Sequence, residues 1–273
     1  MTTLKIGFIG GGNMARSLIG GLIASGIARD QLFVSDHAPD TRAALAADFA
    51  IHTREQNQSI VDDCDVIVLA VKPQALKTVA SALQTGAAGT RLFLTIAAGV
   101  RVSSLSRWLG ENTAIVRAMP NTPALVQSGA TGLYASPLVS EDQRNVAESI
   151  MRTAGLVQWV GDEALMDSVT ALSGSGPAYF FLVMEAMEQA GRDLGLPAET
   201  ARLLTLQTAL GAAKLALEAN EDPALLRQRV TSPGGTTSAA LEVLQQGELG
   251  NLFAHALQAA RDRAVELATE LDQ

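Results

Sequence analysis

The sequence predicts an α/β protein: a doubly wound parallel sheet followed by an all-helical second domain. Three observations carry this. Strand-like and helix-like segments alternate through the first half. A Gly10-x-Gly12-x-x-Ala15 turn joins the first strand to the first helix. Strand signals stop near residue 162, and every later segment reads as helix. At 273 residues the chain has room for two domains, placed at 1–162 and 163–273.

Residues 5–10 form a short β-rich run that enters the glycine turn, and 14–25 follow as helix. Residues 31–35 and 39–48 repeat strand then helix. Residues 65–71 are an apolar run closed by Lys72-Pro73, the pattern of a strand buried on both faces. The helix at 73–83 has proline in its first turn. A strand at 91–97, a helix at Val102–Leu109 and strands at 113–118, 130–135 and 157–160 complete the domain. Right-handed crossovers then place helices on both faces of the sheet. The second domain reads as helices at 164–172, 177–194, 198–219, 223–230, 237–246 and Leu249–Leu271. Residues 178–194 and 201–217 are apolar nearly all round, for example Phe180, Phe181, Leu203, Leu204 and Leu210. Such helices are buried on every face. A domain this small cannot easily bury two of them alone, which predicts an interlocked homodimer through the helical domain; a monomer with a large exposed apolar patch is the alternative.

The formal charge is −8, from 20 basic and 28 acidic side chains. Without a basic cluster, a nucleic-acid partner is not expected. No apolar run reaches membrane-spanning length, so no membrane partner is expected either. The chain runs from Met1 straight into a strand, with no room for a signal peptide. With one cysteine, Cys64, no internal disulfide forms. Both points predict a cytoplasmic protein. Asp63 and Asp65 flank Cys64 and disfavour its thiolate, so it reads as structural. No metal site is expected, and the partner is a small-molecule substrate.

The glycine turn carries the first functional signal. Gly10 permits the tight turn, Gly12 lets a pyrophosphate approach the backbone, and Ala15 lets the helix pack close. Gly10, Gly12, Asn13, Met14 and Ala15 are therefore expected to contact a dinucleotide at the positive end of the helix. Ser35 and Asp36 end the second strand and join the expected contacts. An acid there accepts from ribose hydroxyls and favours NAD, whereas nearby His37 and Arg42 can offset its repulsion of a 2′-phosphate. NADP and NAD both remain open. Val71, Lys72 and Pro73 end one strand, and Ala97, Ala98 and Gly99 the next, where small residues admit a nicotinamide. A surface lysine is the alternative reading of Lys72. Asn121, in Met119-Pro120-Asn121-Thr122-Pro123, either bonds a ligand or holds a two-proline turn. Ser173-Gly174-Ser175-Gly176-Pro177-Ala178-Tyr179 opens the first buried helix. It reads either as an N-cap or as a contact at the nicotinamide end.

The second signal is Val230-Thr231-Ser232-Pro233-Gly234-Gly235-Thr236-Thr237. Its glycines allow close backbone approach, and the following helix start suits a carboxylate or phosphate. A plain helix–helix turn is the alternative. Taken in order with the glycine-rich start, Val71-Lys72-Pro73-Gln74, the Met119–Pro123 segment and the Ser173–Tyr179 segment, it closely resembles pyrroline-5-carboxylate reductase. The resemblance spans nearly the whole chain. It implies a Rossmann-type domain, an α-helical dimerisation domain, and NAD(P)H-dependent reduction of Δ1-pyrroline-5-carboxylate to L-proline. It also implies a dimer that is often assembled further into a decamer of five dimers. By resemblance, Ser232, Gly234, Gly235, Thr236 and Thr237 bind the substrate. The Thr237 hydroxyl contacts the ring nitrogen and is the expected catalytic group, with Thr236 as an equally able neighbour.

Two other enzyme classes fit less well. A β-hydroxyacid dehydrogenase needs a basic catalytic lysine, yet Lys214 is the one lysine after Lys77 and has no Lys-x-x-Asn context. A deazaflavin-linked NADP reductase shares the nucleotide half but has no use for Ser232–Thr237. A non-catalytic NAD(P)-binding regulator would keep the glycine turn without needing a second anion cradle.

Overall fold

A computed structural model describes residues 4–86 and 91–272. Residues 1–3, read above as leading straight into a strand, lie outside the described residues. The chain divides into two compact units: residues up to Ser175 together with those from Ala259 onward, and Gly176–Gln258.

The first unit is built on one sheet. Its strands are β1 (Ile6–Ile9), β2 (Leu32–Ser35), β3 (His52–Arg54), β4 (Val66–Leu69), β5 (Leu92–Thr95), β6 (Ala114–Met119), β7 (Gly129–Ala135) and β8 (Gly155–Trp159). Among the described residues they run in the order β3-β2-β1-β4-β5-β6-β7-β8. The helices between them are α1 (Asn13–Ala24), α2 (Pro39–Phe49), α3 (Gln58–Asp63), α4 (Pro73–Ser81), α5 (Val102–Leu109) and α6 (Glu141–Arg152). Successive strand side chains point to opposite faces, and two cores result. Phe8, Val34, Val68, Leu94 and Val116 pack with Leu18 and Leu22 of α1 and Ile150 of α6. Ile9, Ile67, Leu69, Phe93 and Ile115 pack on the other face with Leu76 and Leu105.

The sheet is mixed rather than wholly parallel, because β7 runs antiparallel to β6. The reason is the connection. Only a short 3-10 turn, Thr122–Val126, lies between Met119 and Gly129, and a parallel return needs a crossover of about a dozen residues or more. The α6 crossover then restores a parallel β7–β8 pair. Three elements went unread in the sequence. The edge strand β3 is His-Thr-Arg, too polar to signal burial. The helix α3 is short. The helix α6 is polar outside its buried Ala147, Ile150 and Met151, and a Ser140–Gln143 capping box starts it.

The expected helix at 164–172 resolves into α7 (Leu165–Val169) and a π-helical turn, Thr170–Gly174. Glycines let this segment sit close: a Cβ at Gly132 would lie 2.5 Å from Val169 Cγ1, and one at Gly174 would lie 2.5 Å from Met119 Cε. The last strand ends at Trp159, ahead of the 162/163 boundary, while the compact first unit continues to Ser175 because α7 packs on the sheet.

The second unit contains α8 (Gly176–Asp193), α9 (Ala198–Glu218), α10 (Pro223–Arg229), α11 (Thr236–Gln246) and the first part of α12 (Leu249–Leu271). Within the isolated chain its helices leave large apolar side chains uncovered, Phe180 at 66%, Phe181 at 62%, Leu204 at 55% and Leu210 at 62%. No described helix is long and apolar enough to cross a membrane.

Candidate active site

Gly10, which follows β1, adopts φ +97°, a left-handed backbone that suits glycine. Its N–H donates to the Ser35 carbonyl at 2.8 Å, and a Cβ there would lie 2.7 Å from the Ala70 carbonyl oxygen. Gly12 differs: it is exposed, and a Cβ would meet nothing within 4 Å. Gly12 caps α1 with an extended backbone and no side-chain bond. The first N–H groups of α1, from Asn13, Met14 and Ala15, have no carbonyl within the helix to bond. Ala15 is buried against the sheet. An open glycine beside oriented N–H groups is the shape a pyrophosphate requires, so these residues fit a dinucleotide.

Asp36 lies at the β2–α2 corner. Its Oδ2 accepts the Gly11 N–H at 2.9 Å, and its Oδ1 accepts the Ala38 N–H at 2.9 Å. His37 beside it is fully exposed. Arg42 Nη1 donates to the carbonyls of Asp36 and His37 at 2.7 and 3.1 Å. The Ser35 side chain, expected among the cofactor contacts, is fully buried and donates to Asn57 Oδ1 at 2.9 Å. The alternation of the strand turns it inward, so its hydroxyl serves the fold.

Val71, Lys72 and Pro73 follow β4, next to β1 in the sheet. Lys72 is exposed and extended, and Pro73 opens α4. Ala97, Ala98 and Gly99 follow β5, with Gly99 at φ +75°. The space a Gly99 side chain would fill is taken by α12, with Leu271 Cδ1 at 3.3 Å. These segments all leave the carboxyl ends of adjacent parallel strands, where open α/β sheets collect ligands. Asn121 resolves toward the fold. Its Nδ2 donates to the Ser173 carbonyl at 3.0 Å, and its Oδ1 accepts the Ala130 N–H at 2.9 Å. With both amide ends engaged, Asn121 ties the β6–β7 turn to the π-helical turn.

In the second unit, Ser232–Thr237 leads into α11. Gly234 is exposed at φ +70°, with open space where a Cβ would be. Gly235 caps α11, and Thr236 and Thr237 are its first two residues. The Gly235 N–H donates to the Ser232 carbonyl at 3.0 Å. Closing the turn engages this N–H. The N–H groups of Thr236, Thr237 and Ser238 lack intrahelical acceptors and point out of the helix start. Thr237 is half-buried, and Thr236 is exposed.

One polar cluster escaped the sequence reading. Arg117 on β6 is buried and pairs with Glu163 at 2.5 Å, and Glu163 also accepts the Val102 N–H at 2.7 Å. A lone arginine within Ala-Ile-Val-Arg-Ala-Met was the available signal. Burial, reinforced by the charges of Asp63 and Asp65, pushes the Cys64 thiol up to about 12, which suits an inert side chain. Among the described residues, no group of three or more His, Cys, Asp or Glu is placed to hold a metal.

Comparison with known proteins places this geometry in a family. The chain is 52% identical to the pyrroline-5-carboxylate reductase of Pseudomonas aeruginosa over 273 residues, all of both chains. This chain belongs to the pyrroline-5-carboxylate reductase family. The reductase of Pasteurella multocida is 43% identical over 98% of each chain. Residues 163–267 match the family model described as pyrroline-5-carboxylate reductase dimerisation. Residues 5–99 match the model for NADP oxidoreductase, coenzyme F420-dependent, which covers part of the nucleotide half alone. The structure of a pyrroline-5-carboxylate reductase from Coxiella burnetii superposes with a TM-score of 0.94 at 48% identity, covering 97% of this chain and 99% of that one. That of Plasmodium falciparum, with NADP bound, gives 0.86 at 28% identity, covering 98% and 99%. The 3-hydroxyisobutyrate dehydrogenase of Mycobacterium tuberculosis, at 14% identity and a TM-score of 0.54 over 98% and 96%, shares the fold alone. As a member of a family with a dimerisation region, and with uncovered apolar helices of its own, the chain forms a homo-oligomer.

Proposed function

We propose that this chain reduces the cyclic imine Δ1-pyrroline-5-carboxylate to L-proline, using NADPH or NADH. The observation that carries this is the full-length, 52% identity to a pyrroline-5-carboxylate reductase. Residues 1–162 serve as the nucleotide domain and 163–273 as the dimerisation and substrate domain.

A bound reduced nicotinamide supplies the hydride. The chain's own residues do the rest. Gly10, Gly12, Asn13, Met14 and Ala15 receive the pyrophosphate at the start of α1. Val71, Lys72 and Pro73, with Ala97, Ala98 and Gly99, form the strand-end surface that holds the remainder of the cofactor. The turn through Ser232 and Gly234, with the N–H groups of Thr236, Thr237 and Ser238, holds the substrate carboxylate. The Thr237 hydroxyl bonds the ring nitrogen. As the imine carbon gains hydride, the C=N π pair becomes a nitrogen lone pair, and the nitrogen keeps or takes a proton from solvent. No strong side-chain acid is needed. The chain contributes positioning and oriented dipoles.

The family's decamer of five dimers is the assembly we propose, in the cytoplasm. The deciding experiment measures initial rates of NADPH and NADH oxidation with Δ1-pyrroline-5-carboxylate. Substrate-dependent oxidation of either is expected. Cofactor binding without any turnover would sink the reductase reading and revive a binding-only regulator.

A further inference from the structure

We propose that Asp36 is a positioning residue for the glycine turn, and that it does not select NADH over NADPH. This rests on the reductase reading above, and it concerns an acid at the position that ordinarily favours NAD.

The geometry around Asp36 carries the proposal. Its side chain is only 13% exposed, whereas that of the adjacent His37 is 100% exposed. Each carboxylate oxygen already accepts a backbone N–H at 2.9 Å, from Gly11 and from Ala38. Gly11 is buried, and a Cβ there would lie 2.5 Å from Leu45 Cδ1 and 3.0 Å from Thr41 Cγ2. Its backbone is therefore pressed onto α2. The preceding Gly10 N–H donates to the Ser35 carbonyl at 2.8 Å. Two consecutive amides of the glycine turn are thus tethered by the last residue of β2 and the residue after it. This leaves Gly12 as the open member of the turn. The Asp36 carboxylate is thus held by these two donors, with His37 Nδ1 also 3.5 Å from its Oδ1. The outward face of the corner carries His37 and the Arg42 guanidinium, held on the Asp36 and His37 carbonyls. A 2′-phosphate bound at this corner would have the Arg42 guanidinium and His37 beside it to offset the carboxylate.

The test compares the full-length protein with Asp36→Ala and with Asp36→Asn, which keeps the shape and one acceptor oxygen. Dissociation constants for NADPH and NADH are read from cofactor fluorescence, and exchange of the Gly11 amide is followed without cofactor. Losing a charge-assisted hydrogen bond predicts exchange at Gly11 faster by about 10-fold or more in Asp36→Ala. Both dissociation constants rise together by about 10-fold, with their ratio held within about 3-fold. Asp36→Asn lies between, and it decides the matter if the alanine variant does not fold. Tighter NADPH binding with weaker NADH binding, or unchanged Gly11 exchange, overturns the proposal. Wild-type protein that binds neither cofactor counts against the reductase reading instead, and Gly11 exchange then decides the positioning role by itself.

Discussion

Two side chains and one missing side chain decide most at the residue scale. Thr237 sits half-buried in the first turn of α11, where its hydroxyl and N–H share one exposed helix start. If the hydroxyl bonds the imine nitrogen, Thr237→Ala lowers kcat by at least ~10-fold, since one transition-state hydrogen bond is worth about 1.4 kcal/mol or more. Steady-state kinetics check this, and unchanged turnover removes Thr237 from the chemistry. Gly12 is the complementary case. A Cβ at Gly12 meets nothing within 4 Å, so Gly12→Val leaves folding intact while filling the pyrophosphate's approach. Fluorescence titration should show no NADPH binding, and the thermal midpoint should stay within about 3 °C of wild type, a shift of under ~1 kcal/mol. Asn121 shows what residue chemistry alone leaves open. Its amide suits a ligand and a turn equally well, and only the partners Ser173 and Ala130 separate the two.

At the scale of elements, legibility followed hydrophobic contrast. The strands β1, β2, β4 and β5 are buried along their whole length and were plain in the sequence. Helix α5 begins and ends at the residues expected for it, Val102–Leu109. What was missed is polar: β3, α3 and α6 carry few apolar residues, so their existence depends on neighbours. The direction of β7 was also invisible, because strand periodicity is the same in parallel and antiparallel pairs. Only the short Pro120–Ser128 connection fixes it. Helix α6 is held at its start by local chemistry instead of a strong apolar stripe. Gln143 N–H donates to Ser140 Oγ at 3.2 Å, and Gln143 Oε1 accepts the Ser140 N–H at 3.0 Å. Ser140→Ala should therefore cost about 1 kcal/mol of stability, read as a lower midpoint in urea, while Ser140→Asp restores it. An unchanged midpoint would show that packing of Ala147, Ile150 and Met151 alone sustains α6. The candidate site was legible for the opposite reason. Glycines at Gly10, Gly12 and Gly234 announce backbone work that side-chain patterns do not require, although the engaged Gly235 amide could not be read from residue type.

For the molecule as a whole, the uncovered apolar surface of α8 and α9 couples folding to association. Diluting the protein should not release a folded, active monomer, because Phe180, Phe181, Leu204 and Leu210 would then face water. Sedimentation across a wide concentration range checks this, and a stable active monomer would contradict it. Assembly raises a further question of permanence, and Cys64 makes it answerable. The chain has one cysteine. Buried and with its thiol pushed up to about 12, it stays silent toward maleimide dyes at neutral pH. A cysteine introduced at the exposed Glu111 would thus be the single reactive handle on each subunit. Donor-labelled and acceptor-labelled batches, once mixed, would report by energy transfer how often subunits trade places.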